Sequence, residues 1–330
     1  MAEGVSTDRE PDRDVKVTVA NSVVIPVYSN QDSIPDLVAA IDSIAGEVPG
    51  DLEAVYVIDG SPDESRAVLL RALQGAATPA RVIEHSRNFG SFAAIRTGMR
   101  FARGKRIAVM AADLQEPPDL VVEFLRRLAT GEVDVVAGRR TRRDDPGDHF
   151  SGLYWRLYRR FVMREVPVGG VDVFGCTAAV RDVVCSLESV HTSLVAQVLW
   201  VGYRREFVDY KRLPSASPSG WTMNRKIRYL SDSVFAFTDL PVRILWLAGL
   251  LGLVLGAVIA LAALIARIAN PGSVPGYTAT ILVIIFFAAL NMIGLGIIGS
   301  YVWRAYETSK GRPGAIVREI IETPPRPIDG

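Results

Sequence analysis

Residues 107–119 read IAVMAADLQEPPD. Four apolar residues, Ile107 to Met110, have the length and composition of a buried strand, and two alanines then lead to one acid, Asp113. Gln115, Glu116 and the pair Pro117–Pro118 follow, so the strand ends in a turn stiffened by proline. A carboxylate at the end of a buried strand is costly to desolvate unless something there needs its charge. Asp119–Ala129 then carries apolar residues at helical spacing. A strand, a charged turn and a helix in this order form one repeat of an α/β sheet.

The same unit recurs on the N-terminal side. Val23–Val24–Ile25 is a short strand ended by Pro26, followed by Ile34, Leu37, Val38, Ile41 and Ile44 at helical spacing, with Ser33 as N-cap and Pro35 in the first turn. Ala54–Ile58 is a second strand, closed by Asp59-Gly60-Ser61-Pro62, and Arg81–Glu84 a third. Ala93–Ala102 is a helix, Ile107–Met110 the fourth strand and Val133–Ala137 the fifth. Such alternation predicts a mainly parallel, Rossmann-like sheet covered on both faces. Ligands of these sheets bind outside the carboxyl ends of the strands. Tyr28, Asp59, Asp113 and Arg140 all fall there, which points to a single site.

Of 330 residues 49% are hydrophobic and 22% charged, and the formal net charge is +1, which gives no basis for nucleic-acid binding. Cys176 and Cys185 are too few for a disulfide framework and read as reduced thiols. The polar stretch 1–18 is expected to be a disordered arm and lacks the apolar segment of a signal peptide. Ile244–Ala266 and Thr278–Val302 are uncharged throughout, each longer than the ~20 residues that cross a bilayer core. Together they predict a transmembrane hairpin; a pair of buried core helices is the alternative. Arg225, Lys226, Arg228 and Arg243 precede the first run, and Arg304, Lys310 and Arg312 follow the second, whereas the connection has only Arg267 at its edge. The positive-inside rule places both termini and the sheet domain in the cytoplasm. Gly220–Leu240 has Ile227, Leu230, Val234 and Phe237 on one side, the pattern of a helix lying in the headgroup layer or docked on the domain.

Seven stretches occur in a familiar order: SVVIPVY from Ser22, IDGSPDES, SRNFGSFAAIRTGM, MAADLQEPPD, VVAGRRTRRDD, FAFTDLP and YETSKGRPGAIVRE. In these the chain resembles the membrane-anchored members of glycosyltransferase family 2. These are polyprenyl-phosphate sugar transferases such as bactoprenol glucosyltransferases and dolichol-phosphate mannosyltransferases. The resemblance implies a GT-A catalytic domain over 19–212, a juxtamembrane segment over 213–241, a hairpin over 242–303 and a cytoplasmic tail over 304–330. It implies a hexosyltransferase that moves a sugar with inversion from a nucleotide-sugar donor, commonly a uridine diphosphate sugar. The acceptor it implies is polyprenyl (undecaprenyl or decaprenyl) phosphate, on the cytoplasmic face of the plasma (inner) membrane, with a product that serves cell-envelope glycan modification.

Carried over by position, Pro26, Tyr28 and Asp59 hold base and ribose, and Arg87, Asn88 and Gly90 lie at the donor diphosphate. Asp113, with Gln115, holds a divalent cation, Mg2+ or Mn2+. Arg140, Arg143 and Arg212 grip the acceptor phosphate, and Asp172 in VGGVDVFG lines the acceptor side, so that Asp113, Asp172 and Arg140 form the catalytic set. Two positions depart from the family pattern: Ile58 stands where a first acid precedes Asp59, and Ala111 where a first acid precedes Asp113. Glu188 and His191 fall near the family's acid–basic segment, with Thr192-Ser193 in place of an arginine, and Ser215 stands where a basic residue is common.

Plainer roles exist for the same residues: an Asx turn for Asp59, an ion pair with Glu84 for Arg87, a turn cap for Asp113 and a solvated loop for 139–145. Relatives also imply a homo-oligomer, with a tetramer as one form, in which the GAIVREI run pairs with a neighbouring subunit. Gly252, Gly256, Gly294, Gly296 and Gly299 allow close helix packing. Two other functions fit less well. A processive synthase would bring a Gln-x-x-Arg-Trp motif and more spans, and an inactive membrane scaffold would not be expected to retain Asp113, Gln115, Arg87 and Arg140.

Overall fold

Strand β1 (Asn21–Val27) is buried along almost its whole length because it lies in the middle of the sheet. The structure is a computed structural model and describes residues 19–141, 159–160, 167, 171–187, 193–213, 240–269 and 277–324. The chain divides into two compact units, Met1–Met223 with Pro313–Gly330, and Asn224–Arg312.

The first unit is built on eight strands. After β1 come β2 (Leu52–Ile58), β3 (Ala80–His85), β4 (Arg106–Val109), β5 (Val135–Arg140), β6 (Val171–Thr177), β7 (Arg205–Tyr210) and β8 (Val317–Thr323), in the order β7-β5-β6-β4-β1-β2-β3-β8. Strands β6 and β8 run antiparallel to their neighbours, and the other six run parallel, so six carboxyl ends open on one edge. Helices α1 (Ile34–Glu47), α2 (Ser65–Ala72), α3 (Ser91–Phe101), α4 (Pro118–Ala129), α5 (Ala178–Ser186) and α6 (Leu194–Trp200) accompany it. Their apolar stripes complete cores whose largest fully buried side chains include Tyr56, Phe124 and Phe174. Helix α3 packs on β1 and β2 through Gly98, where a Cβ would come within 2.3 Å of Val24 Cγ1.

Several expectations change here. Ser33 is the N-cap of α1 by position, but its hydroxyl donates to Asn30 O (3.1 Å) and Ala112 O (2.8 Å) and makes no capping bond. It therefore fastens the turn after β1 to the turn after β4. The fifth strand begins two residues later than expected and runs on to Arg140. The tail run pairs within the chain: β8 lies antiparallel to β3, with Ile83 opposite Ile320, so it needs no neighbouring subunit. Arg81 and Arg103 both reach Glu322 Oε1 (2.9 and 2.8 Å), and Arg66 joins Glu84 to Glu319.

In the second unit, α7 (Leu240–Ala269) and α8 (Tyr277–Ser309) pack on each other. Each contains a segment apolar and long enough to cross a membrane, Leu240–Ile259 and Val283–Ser309, and hardly any of either is buried. A core-helix pair is thereby set aside, since core helices bury their apolar residues. A Cβ on Gly252 would meet Phe286 and Phe287 at 3.3 Å, and one on Gly294 would meet Leu245 at 3.3 Å. Gly296 and Gly299 face open space, so only part of the glycine set serves this packing. Lys310 Nζ sits 4.3 Å from the Tyr306 ring centroid and 5.2 Å from that of Trp303, a cation and aromatics of the kind that anchor a span at the interface. The arm 1–18 and most of the juxtamembrane segment lie outside the described residues.

Candidate active site

The turn after β1 is held by side chains that accept its backbone N–H groups. Tyr28 N–H donates to Asn30 Oδ1 (3.0 Å) and Ser29 N–H to Ser61 Oγ (2.8 Å), while Ser61 Oγ–H donates to Asp63 (2.5 Å). Burial raises the Asp63 carboxyl, but hydrogen bonds from Ser61, Ser65 and Gln31 outweigh it and leave the group below its ordinary range. Ser29 is left-handed at φ 55°, and Tyr28 beside it is 47% exposed. Pro26 is half-buried beyond the last β1–β4 pair, so its missing N–H costs no ladder bond.

The turns after β2 and β3 form one cross-braced body. Asp59, only 2% exposed, accepts His85 Nδ1 (2.8 Å) and Phe89 N–H (2.8 Å) on Oδ1 and Gly90 N–H (2.7 Å) on Oδ2. Desolvation pushes this carboxyl up, but the hydrogen bonds from His85, Phe89 and Gly90 pull it below its ordinary value. Gly60 (φ 60°) lies so close that a Cβ would stand 2.4 Å from Arg87 C and Asn88 N. Gly90, at φ 98°, is the N-cap of α3 and supplies a conformation that side-chain-bearing residues avoid. Asn88 is exposed, and its carbonyl accepts Arg87 Nη1 (3.2 Å). Arg87 stacks on Phe89, its guanidinium carbon 4.1 Å from the ring centroid. Glu84 pairs instead with Arg66 and Arg318, so the ion pair first considered for Arg87 is replaced by this stack. The Asp59 oxygens face the 85–90 loop rather than the Gly-Ser-Pro turn.

Asp113 is exposed at the end of the strand–turn unit, and its Oδ1 accepts Gln115 N–H (3.3 Å), an Asx turn. Leu114 between them is left-handed at φ 55°. Ser29 and Leu114 are the two non-glycine residues at positive φ among the described residues, and they follow adjacent strands, β1 and β4. Backbone in this state costs of order 1–3 kcal/mol and concentrates at functional sites. Gln115 is buried, and its carbonyl accepts Leu213 N–H (2.8 Å). Glu116, 1% exposed, has Arg212 Nε 3.7 Å from Oε1, so the chain after β7 is fastened onto this turn at two points.

On the far side, Arg140 ends β5 half-buried. Arg139 is bound to Asp209 by two hydrogen bonds (2.5 and 2.8 Å), and strand alternation turns Arg140 to the opposite face. Asp172 is on β6; its side chain and Arg143, Glu188, His191 and Ser215 lie outside the described residues. Two buried groups at the site escaped sequence reading. His85 ends the short strand β3 as a polar residue, the one signal in the sequence that marked it. Glu116 read as part of a turn, with nothing to mark its burial.

The donor set decides what cation these residues suit. Among the described residues no three His, Cys, Asp or Glu gather into a cluster. Asp113 offers one exposed carboxylate with Oδ2 outside the Asx turn. This fits a hard divalent ion such as magnesium, held through one carboxylate and completed by phosphate and water oxygens, and not an all-protein cage.

A mainly parallel sheet with strained turns, an exposed acid and a stacked arginine along its carboxyl edge defines the class: an α/β domain of the kind that binds its ligand outside the ends of its strands. Residues 22–186 match the family model "Glycosyl transferase family 2", and the chain belongs to that family. It is a glycosyltransferase. It is 27% identical over 307 residues to an uncharacterized glycosyltransferase of Synechocystis sp. (92% of this chain, 96% of that one). It is 29% identical over 314 residues to the undecaprenyl-phosphate 4-deoxy-4-formamido-L-arabinose transferase of Pseudomonas aeruginosa (92% and 91%). Among solved structures it is similar to glucosyl-3-phosphoglycerate synthase of Mycobacterium tuberculosis in complex with Mn2+, uridine diphosphate and glucosyl-3-phosphoglycerate. That similarity has TM-score 0.46 and 16% identity and covers 67% of this chain and 79% of that one.

Proposed function

We propose that the protein transfers a sugar, with inversion, from a nucleoside diphosphate sugar to the phosphate of a membrane polyprenol, with a uridine diphosphate sugar as donor. The observation that carries this reading is the exposed carboxylate of Asp113 at the carboxyl edge of a family 2 sheet, in a chain that also presents two lipid-suited helices. A polyprenyl tail stays in the bilayer, so its phosphate is met only by a domain tethered at the headgroup layer. The relative named for undecaprenyl phosphate aligns along nearly the whole chain and agrees with this acceptor.

A phosphate monoester with its second pKa near ~6 is largely dianionic at neutral pH. Its oxygen attacks the anomeric carbon without a proton to lose, and the nucleoside diphosphate leaves. The barrier then lies in bringing two anions together and stabilising the one that departs. Arg87, presented on Phe89, pairs with diphosphate oxygens, for which a planar guanidinium is suited. Pro26 and Tyr28 face base and ribose, Asn88 and Gly90 border the diphosphate, and Asp59 acts by holding their loop. Arg140, with Arg143 and Arg212, receives the acceptor phosphate, and Asp172 orients the sugar or acceptor. A bound Mg2+ or Mn2+ at Asp113 and Gln115 would supply positive charge to the leaving diphosphate.

The topology supports a double crossing. Strand β8 follows α8 and pairs with β3, which precedes α7, so the chain returns to the side it left. With the flanking arginines and lysines, this supports a sheet and termini on the cytoplasmic side of the plasma membrane. A homo-oligomer, tetramer included, is tested by particle mass in detergent; a monomer would dismiss it.

The deciding experiment mixes purified protein with labelled nucleotide sugars, undecaprenyl phosphate and magnesium or manganese, then extracts into organic solvent. Lipid-linked label from a uridine diphosphate sugar is expected. No label from any donor would end the proposal.

A further inference from the structure

The mechanism uses Arg87 but not the buried histidine two residues before it. His85 closes β3 at 1% exposure, bonded through both ring nitrogens: Nδ1 to Asp59 Oδ1 (2.8 Å) and Nε2 to Thr97 Oγ1 of α3 (2.9 Å). Its ring meets Phe89 edge-on with centroids 5.5 Å apart, and Arg87 lies over that same Phe89. An ionised Asp59 only accepts, so Nδ1 carries the proton, and in the neutral imidazole Nε2 accepts from the Thr97 hydroxyl.

These contacts form a chain with one loose end. Thr97 holds the ring, and the ring holds one Asp59 oxygen. Asp59 holds the N–H groups of Phe89 and Gly90, and Phe89 carries the Arg87 guanidinium. Gly60 closes the other side by backbone contact with Arg87 and Asn88. Every member up to Phe89 is buried or half-buried, whereas Arg87 is exposed. A hydrogen-bonded series that holds the Phe89 backbone, with the guanidinium stacked on the Phe89 ring, sets the direction of that one exposed cation.

We propose that His85 is a positioning residue for the donor: through Asp59 and Phe89 it holds Arg87 where a nucleoside diphosphate binds, and it touches neither substrate nor acceptor. This rests on the donor reading above, so its test has one arm that needs no substrate. In the full-length protein, His85→Leu removes both nitrogens, whereas His85→Asn returns an N–H donor near the Nδ1 position and omits the contact to Thr97.

The first readout is hydrogen exchange at the Phe89 and Gly90 amides. These are expected to exchange faster in His85→Leu, and to regain most of their protection in His85→Asn. The second readout is uridine diphosphate binding by calorimetry together with donor and acceptor KM. A weakening of about tenfold in His85→Leu, the scale of one lost charge-assisted hydrogen bond, should appear in donor affinity and donor KM. Acceptor KM should be unchanged, and His85→Asn should recover the loss. Should His85→Leu fail to fold, Thr97→Val keeps the fold and loosens only the far nitrogen, and a smaller shift of the same sign is expected. The proposal is overturned by unchanged amide exchange in His85→Leu, by a loss confined to kcat, or by His85→Asn behaving like His85→Leu. If wild-type protein binds no uridine diphosphate, the donor reading falls, and amide exchange alone still decides whether His85 positions the loop.

Discussion

Two turns at the carboxyl edge of the sheet are built by opposite means. The 85–90 loop is fastened from below by a buried carboxylate, a histidine and a glycine backbone contact. The 111–116 turn is tied at Ala112, Gln115 and Glu116 but presents its acid in the open, where the Asp113 carboxylate accepts one long hydrogen bond. The first is suited to hold a cationic side chain in one place. The second leaves a carboxylate free to adjust to whatever charge arrives. A rigid turn and an adaptable acid thus stand on the same carboxyl edge, with β1 and β2 between their strands.

The contrast fails or sharpens under mutation. Asp59→Ala strands two half-buried N–H groups and a buried histidine, and should cost about 3–5 kcal/mol with loss of donor binding, read by melting in detergent and calorimetry. Asp113→Asn should leave stability within about 0.5 kcal/mol and cut turnover by about 100-fold or more. Wild-type turnover in that variant would remove the carboxylate from the reaction. Gly60→Ala forces a methyl against the Arg87 and Asn88 backbone at a left-handed φ, for about 1–3 kcal/mol and a weakened donor. Acid should separate the turns too. The depressed Asp59 pKa gives stability that is present above the unfolded value near ~3.9 and is lost as pH falls through the folded value. A melting series from pH 7 downward should show this loss in wild type and a flatter profile in Asp59→Asn. Smallest of all, Glu322→Gln, on an exposed glutamate that bridges the buried Arg81 to Arg103, should shift stability by less than about 1 kcal/mol.

Sequence reading found the strands that are buried on both faces, because Val23–Ile25, Ala54–Ile58 and Ile107–Val109 are apolar runs between turn residues. It missed β6 and β7, and it took the run that forms β8 as pairing with a neighbouring subunit and not with β3. REFVDY and VREIIET mix charge with apolar residues, since each lies at an end of the sheet where half the side chains meet solvent. Site residues at strand ends were legible as polar residues interrupting apolar runs. Their hydrogen-bond partners were not: that Asp59 meets His85 and Gly90 depends on which strands lie side by side, and spacing along the chain does not encode it. Arg139 and Arg140 show the same limit, for only the pairing of β5 with β7 tells which arginine Asp209 occupies.

Strand β8 has a consequence for how the molecule is made. The last strand of the sheet is synthesised after both apolar helices, so β3 keeps an open edge until the ribosome has passed residue 323. Completion of the catalytic fold is therefore timed by delivery of the second helix. A fragment truncated ahead of the hairpin would carry that unpaired edge permanently, as a place for other chains to stick.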